Sequence, residues 1–130
     1  HETPEDFCIA TGVQHSVRQI IEWSALELGI TIRFEGEGLD EVGIVESIKS
    51  NNAPALKVGD VVLKIDERFF RPAEVDSLLG SSDKAKEKLG WVSEYDLASL
   101  VKDMMSSDVT LMQKDVVLLK AGHEILKQAE

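Results

Sequence analysis

Apolar positions along this chain change period several times, and each change predicts a boundary between elements. Phe7-Cys8-Ile9-Ala10 is a short unbroken apolar run closed by Thr11-Gly12, the pattern of a buried strand and its turn. Ser16 then offers a hydroxyl to cap a helix over residues 17–28, in which Ile20, Ile21, Ser24, Ala25 and Leu28 recur at helical spacing. Gly29 stands where a left-handed helix cap is needed. From residue 30 to 35 the pattern alternates apolar and polar, residues 64–70 alternate in part, and residues 42–48 and 60–65 form two β-prone runs. Between the last two runs lie Ser50-Asn51-Asn52-Ala53-Pro54 and Lys57-Val58-Gly59, turn formers that predict a hairpin with a long tip.

In the second half, Arg71-Pro72 cannot lie inside a helix, because proline pushes the residue before it towards extended geometry. Residues 75–80 fit a short strand or a helical turn equally well. Ser82 predicts the start of a helix over 83–89, with Asp83 at its positive end, Lys88 at its negative end and Gly90 closing it. Trp91 follows as a packing anchor. Ser93 and Asp96 form a candidate capping pair for a helix whose apolar stripe is Leu97, Leu100, Val101, Met104 and Met105. A last amphipathic helix is expected over 116–128. No repeat, low-complexity tract or linker divides the chain, so residues 1–130 predict one α/β unit: a small mixed domain with short strands, a β-hairpin and about four helices.

Composition narrows what such a domain can bind. At 130 residues and 43% hydrophobic, the chain has the material for one core. A formal net charge of −10 opposes an electrostatic grip on nucleic acid or on an anionic membrane. An anionic ligand must therefore be held locally, by Arg18, Arg33, Arg68 or Arg71. No run of about 18 apolar residues and no basic-then-apolar leader is present, so neither a membrane span nor a secretory signal is expected. Cys8 has no partner for an internal disulfide, and its apolar neighbours predict a buried thiol in a reducing, cytoplasmic setting. The chain opens on His1 rather than methionine, which suggests a processed or excised piece.

Most chemistry-bearing side chains form no recognisable constellation. Gly36-Glu37-Gly38 runs into Leu39-Asp40-Glu41, with no third glycine at dinucleotide spacing and carboxylates that would repel a pyrophosphate. His1, His15 and His123 stand at no metal-ligand spacing, although the strand-end turn beside His15 could place it near a ligand. Tyr95 is followed four residues later by Ser99, so a Tyr-x-x-x-Lys pair has no counterpart. Lys84, Lys86 and Lys88 alternate around a short helix and read as a solvated face. The segment Phe69-Phe70-Arg71-Pro72-Ala73-Glu74 differs: within six residues it sets a guanidinium suited to phosphate, a carboxylate suited to a ribose diol, and aromatic packing. A surface ion pair beside a proline turn would have the same pattern, and the residues alone leave both readings open.

Four stretches occur together and in order: Pro4-Glu5-Asp6-Phe7-Cys8-Ile9-Ala10-Thr11-Gly12-Val13-Gln14-His15-Ser16-Val17-Arg18; Arg33-Phe34-Glu35-Gly36; Arg68-Phe69-Phe70-Arg71-Pro72-Ala73-Glu74-Val75; and Leu79-Gly80 with Asp83-Lys84-Ala85-Lys86-Glu87-Lys88-Leu89-Gly90-Trp91. In this the chain resembles the GDP-mannose 4,6-dehydratases, over most of residues 4–105. His15 departs from a tyrosine common at its position, and Ser81-Ser82-Asp83 from a more usual Asp-Pro-Thr.

The resemblance implies the C-terminal, nucleotide-sugar-binding domain of an extended short-chain dehydrogenase/reductase, without its N-terminal Rossmann domain. It places Arg71 at the phosphate-binding arginine and Glu74 at the ribose-binding carboxylate, with GDP-mannose or GDP as ligand. NADP would be bound by the Rossmann domain, and the catalytic threonine, glutamate and Tyr-x-x-x-Lys pair precede the matched region, so this chain alone is expected to be inactive and without cofactor. Expected partners are the missing Rossmann domain and further copies in a homo-oligomer, with strand 7–10 as an edge seeking cover. Two other readings are a domain of another GDP-sugar epimerase or reductase, and a non-catalytic interaction module derived from this fold.

Overall fold

A computed structural model of the chain describes residues 3–50, 52–71, 75 and 77–125. Helix α1, Val17–Glu27, starts where Ser16 accepts a hydrogen bond from the backbone N–H of Gln19 at 3.1 Å. It ends at Leu28, and Gly29 takes the left-handed conformation, with φ 72°, that redirects the chain into strand β1, Ile30–Glu35. A 3-10 turn at Gly38–Asp40 leads to β2, Val42–Ile48, and the long hairpin loop returns as β3, Val61–Lys64. The three strands form one antiparallel sheet in the order β1-β2-β3, with Ile32 opposite Val45 and Gly43 opposite Leu63.

Alternation along β1, with a register shift in β2 opposite Thr31 and Ile32, brings Ile30, Ile32, Val45 and Ile48 to the core that α1 covers. Ala25 on the helix packs on Ile30 and Val45, all nearly inaccessible, and Leu28, Ile32, Ile48 and Leu56 close around them. Burying an aliphatic side chain of this size contributes about 1.5–3 kcal/mol, so this cluster is the main anchor between helix and sheet. Gly43 admits no side chain: a Cβ there would lie 2.9 Å from that of Leu63.

Helix α2, Asp83–Leu89, buries Ala85 and ends at a left-handed Gly90. Helix α3, Leu97–Lys120, packs against α1 and buries Val101. It opens on a reciprocal capping box, in which the Ser99 N–H donates to the Asp96 carboxylate at 2.8 Å and the Asp96 N–H donates to the Ser99 hydroxyl at 3.1 Å. Ser93, the expected capping partner, instead donates to the Tyr95 carbonyl at 2.6 Å.

Several expectations are corrected. Residues 7–10 form no strand; they run against residue 80, where a Cβ on Gly80 would meet Ala10 Cβ at 2.8 Å and Cys8 Sγ at 3.0 Å. A strand needs a neighbour for its backbone groups, and no described strand lies beside this segment. Cys8 is accordingly exposed rather than buried. Residues 75 and 77–80 adopt neither strand nor helix. The helices expected near 97–105 and over 116–128 are one continuous α3, because no glycine or proline interrupts residues 97–120. The helix stops before Gly122, φ 82°, where the His123 N–H returns to the Leu118 carbonyl at 3.0 Å. Residues 126–128 of the expected last helix lie outside the described residues.

The molecule exposes 10661 Å², about half as much again as the roughly 6,800 Å² expected of a compact chain of 14.4 kDa. Much of the apolar surface lies along residues 9–13 and 69–79, where Phe69 is 77% and Leu78 76% exposed.

Glycine at the end of α1 is required twice over, by its φ of 72° and because a Cβ there would sit 2.2 Å from the Ser50 hydroxyl. That hydroxyl donates to the Leu28 carbonyl at 2.8 Å. Gly90 shares the left-handed φ but faces open space. Gly29→Ala should therefore lower stability by more than the about 1–2 kcal/mol of the left-handed penalty, and Gly90→Ala by no more than that penalty, in urea unfolding. Equal losses at both positions would contradict the close approach of Ser50.

Candidate functional site

The end of β3 builds the region around Arg71. Asp66 caps a 3-10 turn at Glu67–Phe69 by accepting from the Arg68 N–H at 2.9 Å. The same carboxylate receives the Arg68 guanidinium, Nη2 at 2.7 Å and Nε at 3.0 and 3.2 Å. The Arg68 guanidinium, reinforced by its backbone N–H, holds the Asp66 carboxyl below its ordinary value, and Asp66 in turn raises the pKa of Arg68. Arg68 also lies 5.5 Å from the Phe69 ring centre. This capped turn delivers Phe70 and Arg71 to the surface.

A hollow of about 610 Å³ opens here, lined by Lys64, Ile65, Asp66, Phe69, Phe70 and Arg71. It combines two cationic side chains with two exposed aromatic rings, one acidic group and an aliphatic floor. Such a set can meet a phosphate through Arg71 and Lys64 and offer a ring face to a planar group. Lys64 was not distinguishable in sequence, since it lies seven positions before Arg71 in an ordinary strand pattern; only the turn brings the two to one hollow. Glu74, the other expected site residue, lies outside the described residues.

Arg18 and Arg33 are engaged elsewhere in the fold. Arg18 pairs with Glu41 and lies 4.8 Å over the Phe34 ring, fastening α1 to the 38–41 turn. Arg33 pairs with Glu35 along β1 at 2.7 Å. His15 places Nδ1 3.0 Å from Gln19 Oε1 and packs at 5.6 Å on Trp23, so it braces the first turns of α1. The Gly36-Glu37-Gly38 segment leads into a 3-10 turn, not an α-helix, and supplies no dinucleotide loop. Tyr95 and Ser99 are placed by the α3 capping turn.

The lysines of α2 do not form a merely solvated face. Lys88 reaches Glu5 at 2.6 and 2.8 Å, and Lys84 reaches the same carboxylate at 3.1 Å and the Asp6 carbonyl at 2.9 Å. Lys84 also stands 5.0 Å above the Phe7 ring. One helical turn separates these lysines, which sets both ammonium groups over the opening segment. Lys86 lies apart from them, in a second hollow of about 470 Å³ with Thr11, Ser82 and Trp91.

Fold and hollow together define a small mixed α/β unit with a surface site suited to an anionic ligand bearing a planar ring. A sequence model of the family described as GDP-mannose 4,6 dehydratase matches residues 1–104. A GDP-mannose 4,6-dehydratase of Vibrio cholerae is 56% identical over 124 residues, covering 95% of this chain and 33% of the relative. The corresponding protein of Yersinia enterocolitica is 43% identical over the same shares, and that of Homo sapiens is 41% identical over 87% of this chain and 28% of its own length. The chain belongs to the GDP-mannose 4,6-dehydratase family. It spans about a third of the length of these relatives and corresponds to a C-terminal portion of them.

The Glu5 clamp has a defined acid response. Hydrogen bonds from Lys88 and then Lys84 lower the Glu5 pKa from its ordinary 4.5. A carboxylate depressed in the folded state stabilises the fold above its unfolded pKa, and the contribution disappears as pH falls through the folded value. Lys88→Met should return the Glu5 pKa towards 4.5 in a carboxyl NMR titration and reduce the acid dependence of stability below that pH. An unmoved Glu5 titration would dissolve the clamp.

Proposed function

We propose that this chain is the substrate-binding part of a GDP-mannose 4,6-dehydratase, with the hollow at Arg71 receiving the nucleotide end of GDP-mannose. The observation that carries the reading is the meeting of Arg71, Lys64 and two exposed aromatic rings at one surface in a chain of this family. A guanidinium presents planar donors to a diphosphate, an ammonium adds charge, and Glu74 is assigned the ribose hydroxyls. The acidity of the chain requires this local arrangement, since −10 overall repels a nucleotide diphosphate everywhere else.

The complete protein would convert GDP-mannose to GDP-4-keto-6-deoxymannose, a lyase reaction on the route to GDP-fucose and related deoxysugars. It would do so by internal oxidation, elimination of water and reduction, with the cofactor regenerated. NADP supplies the temporary hydride store in an extended short-chain dehydrogenase/reductase of this kind. Among the described residues, the Gly36–Gly38 turn does not suit that cofactor, being acidic and opening no helix, and Tyr95 is followed by a capping Ser99 where the pair would need lysine. We assign to this portion binding and orientation of the substrate, and predict no dehydration by it alone. The exposed apolar residues of 9–13 and 69–79 suit cover by the NADP-binding part of a longer cytoplasmic protein.

Calorimetric titration with GDP, GDP-mannose and UDP-glucose tests the reading. The guanosine ligands should bind similarly to each other and more tightly than UDP-glucose, and Arg71→Ala should weaken GDP by about tenfold or more, as expected for charge-assisted bonds. Equal affinity for all three ligands, untouched by the substitution, would overturn it.

A further inference from the structure

The capped turn before Arg71 sets up a conflict inside the proposed nucleotide site. Among the described residues, Asp66 is the one carboxylate lining the hollow, beside the cations Lys64 and Arg71. The turn needs an acceptor at that position, because Asp66 takes the Arg68 N–H at 2.9 Å and so starts the 3-10 turn that carries Phe69 to the surface. A diphosphate laid against Lys64 and Arg71 would meet that same negative charge. Arg68 resolves the conflict. It does not line the hollow, yet its guanidinium reaches both carboxylate oxygens, Nη2 to Oδ2 at 2.7 Å and Nε to Oδ2 and Oδ1 at 3.0 and 3.2 Å. The Phe69 ring, centred 5.5 Å away, steadies the guanidinium. With 77% of the Arg68 side chain and 41% of the Asp66 side chain open to solvent, the pair contributes little to stability, and its consequence is local charge.

We propose that Arg68 is a positioning residue of the nucleotide site: it holds and neutralises the Asp66 carboxylate, so that Asp66 caps the turn without repelling a diphosphate at Lys64 and Arg71. The proposal rests on the assignment of that hollow to the nucleotide end of GDP-mannose. Once Asp66 and Arg68 cancel, Lys64 and Arg71 leave the described wall of the hollow positive in a chain that carries −10. Either residue of the pair without the other would shift that balance by a full charge.

Two substitutions separate charge from structure. Arg68→Gln removes the guanidinium but keeps the backbone N–H that closes the cap, and Asp66→Asn keeps a capping oxygen without its charge. In calorimetric titration at neutral pH, Arg68→Gln should weaken GDP about fivefold, and Arg68→Gln/Asp66→Asn should return it to within about twofold of the parent. A purely structural brace gives the opposite order, and a double variant as weak as Arg68→Gln or weaker would overturn the proposal. So would GDP affinity that Arg68→Gln leaves unmoved while Arg71→Ala still lowers it, a result that keeps the site and removes the role of Arg68. Pyrophosphate, titrated in parallel, separates the two failures. The same order of variants with pyrophosphate, in a parent that does not prefer GDP to UDP-glucose, would support the pairing role and remove the GDP assignment. A parent that binds neither GDP nor pyrophosphate would overturn both.

Discussion

Val45 is enclosed by its own sheet and by α1, and the placing of nearly everything else can be traced to that enclosure. Its N–H and carbonyl are spent on Asp60 and Gly59 of the returning hairpin, both at 2.9 Å, while its side chain meets Ala25 and Ile30. One residue thus joins helix, β1 and the hairpin. The hairpin sets the direction of β3, and the end of β3 sets the Asp66 cap that presents Phe70 and Arg71. A small core of this kind stabilises by apolar burial, and each member matters because so few are fully buried.

Electrostatics in this strongly acidic chain is handled pairwise. Arg18, Arg33 and Arg68 each have a carboxylate within hydrogen-bonding range, and Lys84 and Lys88 converge on Glu5. Exposed pairs contribute little to stability. Their effect here is geometric: Arg18 fixes the 38–41 turn to α1, Arg68 orders the turn before Arg71, and the α2 lysines hold the opening segment where Gly80 leaves room for it. Family membership and geometry meet at this point, since the stretches that resemble the family include the segments these pairs fasten.

The large exposed area separates two kinds of surface. Ile9, Val13, Phe69, Phe70, Val75, Leu78 and Leu79 are exposed within the region matched by the family model, and Phe69 and Phe70 line the proposed nucleotide hollow. The open half of α3, with Met112, Val116 and Leu119 about half exposed, lies at the other end of the helix from the buried Val101. A single small core cannot cover both, because a chain of this size buries a smaller share of its surface than a larger one and the described sheet has three strands.

Local signals were legible wherever the cause was local. Ser16, Gly29, Gly90 and the alternation of 30–35 predicted the bounds of α1, α2 and β1 to within a residue or two, since caps, left-handed turns and side-chain period depend on neighbours in sequence. The hydroxyl expected to cap α2 is not that of Ser82, which makes no cap bond, and the Asp83 N–H donates to the Ser81 hydroxyl instead. The arginine at the site was legible as a chemical type beside aromatics, and its meaning came from resemblance. What sequence could not determine was whether an apolar run has a neighbour: residues 7–10 look like a strand, yet with no strand beside them they lie against Gly80 and leave Cys8 exposed. Nor could it show that Lys64 shares a hollow with Arg71, or that Lys84 and Lys88 meet at Glu5. The first is decided by the 3-10 turn between two neighbouring segments, and the second is a distance between segments far apart in the chain, brought together where α2 packs on the opening residues.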